Sequence, residues 1–282
     1  MIIDGKVLAN TILETLKQKV STLQTRGITP TMAVILVGDD PGSASYVRQK
    51  EKAAARIGAQ LQISNYQFQI DKKTVQKKIN ALNNDPSIHG IIIQRPLPPH
   101  LQDDTLLNNI IPTKDVDGFV PGTLYTVPVA SAVVKILNLI YHHKNIHDEN
   151  FNQWLQKQSI VVIGRGETAG KPIGDILQKI DCATSIITSQ TPEETKTAAL
   201  KNADIIISCV GKPVIHKNQV KQGVILISVG IWRDSEGKLH GDYEEEDVKD
   251  IASFYTPTPG GVGPINVACL MENLVTAASK NQ

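Results

Sequence analysis

The sequence predicts an α/β fold with two domains, each a parallel β-sheet packed between helices. Two observations support this prediction. Short β-branched apolar runs alternate with amphipathic helical stretches along both halves of the 282 residues, which is the pattern of parallel sheets with helical crossovers. In the second half a glycine-rich turn also separates a strand from a helix, as in nucleotide-binding domains of the Rossmann type.

The first half of the chain begins with a helix and then alternates strands and helices. Apolar residues at helical spacing predict a helix over residues 8–23, and the apolar run 32–37 predicts a strand that stops at the turn residues 38–42. Two helices and a second buried strand are then predicted, at residues 43–57, 74–82 and 90–93.

The second half repeats this alternation. Four short strands are predicted, with helices between most of them, at residues 160–163, 184–187, 205–210 and 224–229. The domain boundary is expected between Pro121 and Pro128, with a helix over about 129–142 leading into the second domain. We therefore predict a first domain of residues 1–125, completed by the C-terminal helix 264–282, and a second domain of residues 126–263.

Composition excludes several classes of function. A formal net charge of +1, with Lys and Arg scattered along the chain, leaves no electrostatic footprint for nucleic acid or an anionic membrane. No apolar run reaches the length of a membrane span. The chain has an odd number of cysteines, Cys182, Cys209 and Cys269, without CxxC spacing. We therefore predict that they are packing residues. We expect a cytoplasmic protein with a small-molecule partner and no metal.

The turn after the predicted strand 160–163 indicates a nucleotide site. It carries a GxGxxxG variant, formed by Gly164, Gly166 and Gly170. Such glycines permit a tight turn and close approach of a pyrophosphate to a helix N-terminus, although a plain βα connection has the same pattern. About 20 residues on, where an NAD site usually has an acidic residue, the chain has Ser189 and Gln190. Because Arg165 lies inside the loop, NADP is favoured as the cofactor, and NAD stays possible.

A second shaped loop lies near the end of the chain, where residues 256–264 hold three glycines and three prolines. These residues cannot form an ordinary helix or strand, yet an amphipathic helix follows at once, with Pro264 suited to its first turn. Amides at such a helix N-terminus favour negative or electron-rich groups, so the loop predicts contact with a nucleotide or cofactor.

Polar residues that could carry chemistry follow the strands of the first half. Tyr46 and Lys50 are four residues apart on a predicted helix and so share one face, just past the loop that ends a strand. A lysine held in a cleft loses proton affinity and becomes a usable acid or base, whereas an exposed lysine beside a half-buried tyrosine is the alternative. Gln94, Asp115 and Asp117 lie at or after strand ends, where turn formation or recognition of a flat heterocycle is expected.

Along the chain the motifs are VGDDP at 37–41, Tyr46-Val47 with Lys50, Gln94 before Pro96-Leu97-Pro98, KDVDGF at 114–119, GKP at 170–172, GKL at 237–239 with Gly241-Asp242, and PGGVGP at 259–264. In this order they resemble the bifunctional methylenetetrahydrofolate dehydrogenase/methenyltetrahydrofolate cyclohydrolase family over almost the whole chain.

The resemblance implies a folate-binding first domain and an NADP-binding second domain with the active site in the cleft between them. The implied reactions are hydride transfer from 5,10-methylenetetrahydrofolate to the nicotinamide and hydrolysis of the methenyl product to 10-formyltetrahydrofolate. Lys50 would be the central acid/base group, tuned by Gln94, while Tyr46 would stack on the folate and Asp117 would hold the pterin edge. Further substrate contacts would come from Pro259, Gly260 and Gly261. Nucleotide contacts would come from Gly164, Arg165, Gly166, Gly170, Ser189, Gln190, Ile231 and Asn266.

The resemblance also implies a homodimer, with the strand at 184–187 as a candidate interface. The sequence departs from the family's usual residues mainly on the nucleotide side, at Gly166, Gln190, Ser228, Trp232 and Asn266, and in the segment 128–131. Two alternatives therefore stay open: a cyclohydrolase with weak, lost or NAD-shifted dehydrogenase activity, and a folate-binding homologue without catalysis. A short-chain dehydrogenase is excluded because its glycine-rich turn precedes its Tyr-xxx-Lys pair, whereas here the turn follows it.

Overall fold

The computed structural model describes residues 1–102 and 104–280 and has the predicted α/β fold. The helices are Gly5–Gln24 (α1), Pro41–Ile57 (α2), Lys72–Asn84 (α3), Asp104–Leu107 (α4), Pro128–His143 (α5), Phe151–Gln156 (α6), Gly170–Lys179 (α7), Glu193–Asn202 (α8), Glu245–Val248 (α9) and Val262–Lys280 (α10). The strands are Thr31–Val37 (β1), Gln60–Tyr66 (β2), Gly90–Ile93 (β3), Ile160–Ile163 (β4), Thr184–Ile187 (β5), Ile205–Ser208 (β6), Ile225–Ser228 (β7), Trp232–Arg233 (β8), Leu239–His240 (β9) and Phe254–Tyr255 (β10).

The chain forms two compact units. One, called here the three-stranded unit, comprises residues 9–128 and 267–280. The other, the five-stranded unit, comprises residues 1–8 and 129–266. The helices α1 and α10 are therefore each divided between the two units, with the change after residue 8 in α1 and after residue 266 in α10.

The three-stranded unit contains a parallel sheet of strand order β2-β1-β3. Six of the seven residues of the central strand β1 are buried, as expected for a strand covered on both faces. All four residues of the edge strand β3 are buried as well. One core layer joins the sheet to α3 through Val75, Ile79 and Leu82. The carboxyl ends of the three strands meet at one edge, which places the segments after β1 and β3 side by side.

The five-stranded unit contains a parallel sheet of order β10-β7-β6-β4-β5, and its central strands β4, β6 and β7 are fully buried. The order changes direction on either side of β4, the arrangement in which open α/β sheets bind ligands beyond the carboxyl ends of their strands. A small antiparallel hairpin, β8-β9, follows β7. No helix in the described part of the chain is long and apolar enough to span a membrane.

The structure differs from the sequence-based expectation mainly in its short or exposed elements and at the bounds of the two units. β2 was not predicted, because it is an edge strand of mixed polarity whose residues are mostly exposed or half-buried. The hairpin β8-β9 and β10 were also missed, since two-residue strands leave no periodicity. Residues 1–8, expected in the first domain, join the five-stranded unit, because Ile3 N donates to the Tyr255 carbonyl and Tyr255 N donates to the Met1 carbonyl, at 2.8 and 3.0 Å. Residues 264–266, also expected in the first domain, belong to the five-stranded unit, and residues 126–128, expected in the second domain, belong to the three-stranded unit.

Candidate active site

Helix α2 carries the Tyr46 and Lys50 side chains. Its N-cap residue Asp40 accepts a 2.6 Å hydrogen bond from Ser43 N, which fixes where the helix begins. The inner face of α2 is anchored by buried residues that include Val47. Tyr46 and Lys50 are one turn apart and both half-buried, so the helix presents them together at a boundary between core and solvent.

Lys50 and Gln94 form a hydrogen-bonded pair. The Lys50 ammonium group donates to Gln94 Oε1 at 2.9 Å, although 44 residues separate them in sequence. Gln94 is buried directly after β3, and its amide group donates to the Arg95 carbonyl at 2.8 Å, which fixes its orientation. The same carbonyl accepts the Ser43 hydroxyl at 3.2 Å, so α2 and the segment after β3 are tied together.

The loop that carries Asp117 is shaped by its buried neighbour Asp115. The Asp115 carboxylate accepts hydrogen bonds from Gly118 N and Val120 N, at 3.1 and 2.7 Å. Asn273 of α10 donates to the Val116 carbonyl of the same loop at 2.8 Å. Asp115 therefore serves turn formation, the first of the two functions expected for it, and leaves Asp117 as the carboxylate available for chemistry.

Burial and charge perturb two titratable groups in opposite directions. Loss of solvation lowers the pKa of Lys50, and the Asp117 carboxylate only partly opposes that effect. Loss of solvation likewise raises the pKa of Asp117, which Lys50 and Arg95 oppose and Asp115 reinforces. A lysine whose pKa is lowered in this way can act as an acid or base, because its neutral form becomes accessible.

In the five-stranded unit, the loop after β10 contains Pro259, Gly260 and Gly261. Its first residue, Thr256, is buried and accepts hydrogen bonds from Ser228 N to its hydroxyl and from the Tyr243 hydroxyl to its carbonyl, at 2.9 and 2.7 Å. A β-carbon at Gly5 would lie 1.8 Å from the Gly261 carbonyl oxygen, so the start of α1 packs directly against this loop. The loop is thus a fixed main-chain surface whose Pro259 side chain is exposed.

The glycine-rich turn lies between β4 and α7. Gly164 has φ +100°, and a β-carbon at Gly170 would lie 2.2 Å from the Gly164 carbonyl oxygen, so both positions require glycine. Between them Arg165, Gly166 and the next two residues are exposed. No described side chain caps the N-terminus of α7. An exposed loop that ends at an uncapped helix N-terminus fits a phosphate-bearing ligand.

Most of the remaining residues that are predicted to bind the nucleotide lie in the neighbouring loops. Ser189 and Gln190 are exposed after β5, which pairs with β4, so they share the sheet edge with the glycine-rich turn. Ile231 follows β7 and is 37 % exposed. A β-carbon at Gly211 would lie 3.0 Å from the Ile231 carbonyl oxygen, so the loops after β6 and β7 are in contact. Asn266 lies separately, half-buried in the second turn of α10.

Asp242 is a buried organising residue to which the sequence analysis gave no function. Its carboxylate accepts hydrogen bonds from Val210 N and Lys212 N, at 3.1 and 3.0 Å, and its own amide donates to the Ser228 hydroxyl at 2.8 Å. It therefore holds the loops after β6 and β7 together. The sequence feature that could have indicated this role is the Gly-Asp pair in a loop after two apolar strands. A solvated turn often has the same pair, so the feature does not distinguish the two.

Trp232, one of the departures from the family's usual residues, is held within the hairpin. Its ring stacks on His240 with 4.7 Å between centroids, and its indole N–H donates to the Gly241 carbonyl at 2.9 Å. His240 in turn contacts the Asp234 carboxylate at 2.8 Å. At Gly166, another departure, no described atom lies within 4 Å of an added β-carbon, so the fold itself does not demand glycine there.

Comparison with known proteins assigns both parts of the chain. Residues 3–117 match the tetrahydrofolate dehydrogenase/cyclohydrolase catalytic domain, and residues 144–282 match the NAD(P)-binding domain of the same enzymes. Among curated proteins, the bifunctional protein FolD of Geobacillus thermodenitrificans is 38 % identical over 278 residues, which is 98 % of this chain and 96 % of that protein.

Solved structures agree. The bifunctional FolD methylenetetrahydrofolate dehydrogenase/cyclohydrolase of Campylobacter jejuni is 35 % identical with a TM-score of 0.91, covering 100 % of this chain and 99 % of that one. The Trypanosoma brucei FolD, solved with NADP cofactor and an inhibitor, is 29 % identical with a TM-score of 0.90 and covers 99 % and 97 %. The chain belongs to the tetrahydrofolate dehydrogenase/cyclohydrolase family.

Proposed function

We propose that this protein oxidises 5,10-methylenetetrahydrofolate to the 5,10-methenyl compound with NADP and hydrolyses the methenyl compound to 10-formyltetrahydrofolate. The observation that carries the proposal is the partly buried Lys50–Gln94 hydrogen bond, 2.9 Å long, in a chain of this family. A protein that only bound folate would have no need to desolvate a lysine. The chemistry of Lys50 therefore favours an enzyme over a binding protein.

In the hydrolysis, Lys50 acts as base and then as acid. The lowered pKa of Lys50 makes the neutral amine accessible, so it accepts a proton as water adds to the methenyl carbon. The resulting ammonium group returns a proton to N5 of the folate as the bond between N5 and that carbon breaks. The hydroxyl proton leaves to solvent as the formyl carbonyl forms, which gives 10-formyltetrahydrofolate and one released proton. Gln94 keeps the amine directed through both steps.

Substrate orientation is assigned to the groups around this lysine. Asp117 accepts N–H groups from the pterin edge, since a carboxylate held by a shaped loop matches paired donors. Tyr46, one turn before Lys50 on α2, stacks on the folate ring system. Pro259, Gly260 and Gly261 contact the substrate through the fixed main chain of their loop.

The five-stranded unit would hold NADP, which would supply the acceptor for the hydride that leaves the methylene carbon. The residues fit a dinucleotide, because the exposed turn from Gly164 to Gly170 leads to a helix N-terminus suited to pyrophosphate. Arg165, with Ser189 and Gln190 on the adjacent loop, holds the 2′-phosphate. Ile231 and Asn266 complete the contacts to the nucleotide.

This function assigns folate to the three-stranded unit and NADP to the five-stranded unit. We further propose a cytoplasmic location. In the described part of the chain none of the three cysteines forms a disulfide, and two of them are buried, which suits a reducing compartment.

A homodimer is proposed through β5. This strand is at one edge of the five-stranded sheet, where its Ile186 is 44 % exposed, and an open edge can pair with a second copy. A surface groove beside it, lined in part by Ser159, Ser185 and Glu194, gives room for partner side chains. Light scattering should give the mass of a dimer for the wild type and of a monomer for Ile186→Lys; a monomeric wild type would contradict the proposal.

Two assays on the wild-type protein test the proposed activities. The first follows formation of methenyltetrahydrofolate from the methylene compound with NADP and, separately, with NAD. The second follows hydrolysis of supplied methenyltetrahydrofolate without nucleotide. We expect turnover in both, with NADP preferred. Hydrolysis without nucleotide reduction would reject the dehydrogenase half, and the absence of both reactions would reject the function.

A further inference from the structure

Arg95 is a charged residue in the site that the two reactions above do not use. It follows Gln94, and its guanidinium carbon lies 4.8 Å from the centroid of the Phe119 ring. Its main chain is also fixed, since its carbonyl accepts hydrogen bonds from Ser43 and Gln94, at 3.2 and 2.8 Å. Stacking on an aromatic face restricts the long arginine side chain, so its charge is held at one place.

That place is on the loop that carries Asp117. Phe119 is two residues after Asp117, so a cation held over its ring acts on the carboxylate from the same loop. The charged groups that act on Asp117 are Lys50 from α2, Asp115 from its own loop and Arg95 from the segment after β3. Burial and Asp115 favour the protonated carboxyl, whereas Lys50 and Arg95 favour the carboxylate.

The two cations differ in how constant they are. As the base in hydrolysis, Lys50 is neutral for part of each cycle and then gives Asp117 no counter-charge. A guanidinium group stays protonated at every pH at which the protein is folded. Arg95 therefore supplies the positive charge that does not depend on the state of Lys50.

We propose that Arg95 is a positioning residue that keeps Asp117 ionised, so that the carboxylate can accept the N–H groups of the substrate's heterocycle while Lys50 gains and loses its proton. The identity of that substrate rests on the proposed function; the charge relation between Arg95 and Asp117 does not. The inference predicts that Arg95 acts on substrate binding at acid pH rather than on the rate of the chemical step.

The first test measures the Asp117 carboxyl directly. Protein labelled with ¹³C at aspartate carboxyl carbons is titrated by NMR, and Asp117→Asn identifies the resonance. Arg95→Leu should move the Asp117 midpoint to higher pH, because a counter-charge is lost, while Arg95→Lys should move it less. Arg48→Leu, which removes an exposed arginine from α2, should leave it unchanged. An unchanged or lowered midpoint in folded Arg95→Leu would overturn the proposal.

The second test separates this role from a structural one. For methenyltetrahydrofolate hydrolysis by Arg95→Leu, KM should rise about threefold at the acid end of the pH range, as expected for a partly exposed pair, with kcat at saturation unchanged. Phe119→Leu should give a smaller change in the same direction. A fall in kcat at every pH with a normal KM would contradict the assignment. If the wild type shows no hydrolysis, the proposed function fails, and the NMR titration still decides the role of Arg95.

Discussion

The two candidate sites of this protein differ in whether side chains or main chain form them. In the three-stranded unit, the candidate site consists of side chains: Lys50, Gln94 and Asp117 come from three separate segments, and Lys50 is hydrogen-bonded to Gln94 and electrostatically coupled to Asp117. In the five-stranded unit, the glycine-rich turn and the loop after β10 present main chain, and Arg165 and Gln190 are exposed. The first site has perturbed proton affinities, whereas the second is defined by shape.

This difference indicates how each site tolerates substitution. A buried ionisable cluster depends on each member's charge, so a change of one functional group alters the others. A main-chain site depends on backbone geometry, so an added β-carbon matters more than a changed side chain. The departures from the family's usual residues fall mostly on the nucleotide side, where binding depends least on particular side chains.

The largest expected effect comes from removing the central base. Lys50→Met should lower the rate of methenyltetrahydrofolate hydrolysis by a factor of about 10² to 10⁴, the usual contribution of a general acid/base. Folate affinity should be largely kept, because the methionine retains most of the apolar volume. Initial hydrolysis rates and a fluorescence titration with methenyltetrahydrofolate measure the two quantities.

Lys52→Met is the matched control, since Lys52 is an exposed lysine on the same helix. It should hydrolyse the substrate at the wild-type rate. If Lys50→Met retained full turnover, the catalytic assignment would be wrong. If it lost affinity and rate together, Lys50 would serve binding instead.

The next effect tests the main-chain site. In Gly170→Ala the new methyl group would overlap the Gly164 carbonyl, so the turn must shift. We expect KM for NADP to rise by about ten- to a hundredfold from misplacement of the binding groups. The free energy of unfolding should fall by about 1–3 kcal/mol. Methenyltetrahydrofolate hydrolysis per folded molecule should stay at the wild-type value, because the turn belongs to the other unit.

Urea denaturation of Gly166→Ala provides the comparison for stability. Its methyl group would point into open space, so its free energy of unfolding should equal that of the wild type within error. Equal losses of stability in the two variants would mean that the steric conflict at Gly170 adds nothing to the general effect of a Gly-to-Ala change, which would contradict the interpretation of the turn.

The coupling between Lys50 and Asp117 predicts a shift in pH dependence. Burial lowers the pKa of Lys50 and Asp117 partly restores it, so Asp117→Asn should lower that pKa further. Hydrolysis needs the neutral amine, so activity is present above this pKa and lost as pH falls through it. The acid limb of kcat should therefore move to lower pH in Asp117→Asn, while KM rises about tenfold from the lost charged hydrogen bond. A limb that moved to higher pH would contradict the coupling.

Sequence patterns predicted the buried central strands, because a continuous apolar run of this length is compatible with few structures. β4 and β6 are continuous apolar runs buried on both faces, and such runs are recognisable without any partner. β2 was missed for the opposite reason. Its sequence QLQISNY alternates weakly, since one side of an edge strand remains open, and its place depends on pairing with β1.

The sequence predicts which residues belong to the site, but it does not predict which of them are in contact. The spacing of Tyr46 and Lys50 on a helix predicts a shared face, yet only the register of β1 with β3 brings Gln94 to Lys50. Arg95 is not predicted as a site residue, because a proline-rich segment predicts only a loop. Its contact with the ring of Phe119, 24 positions away, is visible only in the fold. Likewise, hydrogen bonds to Tyr255 assign residues 1–8 to the five-stranded unit, and main-chain pairing leaves no sequence signature.

The smallest expected effect concerns cofactor choice. Arg165 is an exposed side chain in a loop otherwise defined by glycine, so it should add affinity for one phosphate without shaping the site. Arg165→Gln should raise KM for NADP about tenfold, through loss of a charge-assisted hydrogen bond, and leave KM for NAD unchanged. Lys179→Gln, which removes an exposed charge at the far end of α7, should change neither value. Added salt should reduce the preference of the wild type for NADP, because an exposed ion pair is screened, and should have less effect on the variant. An equal loss of both cofactors would mean that Arg165 supports the turn itself, and the nucleotide site would then resemble the folate side in depending on a particular side chain.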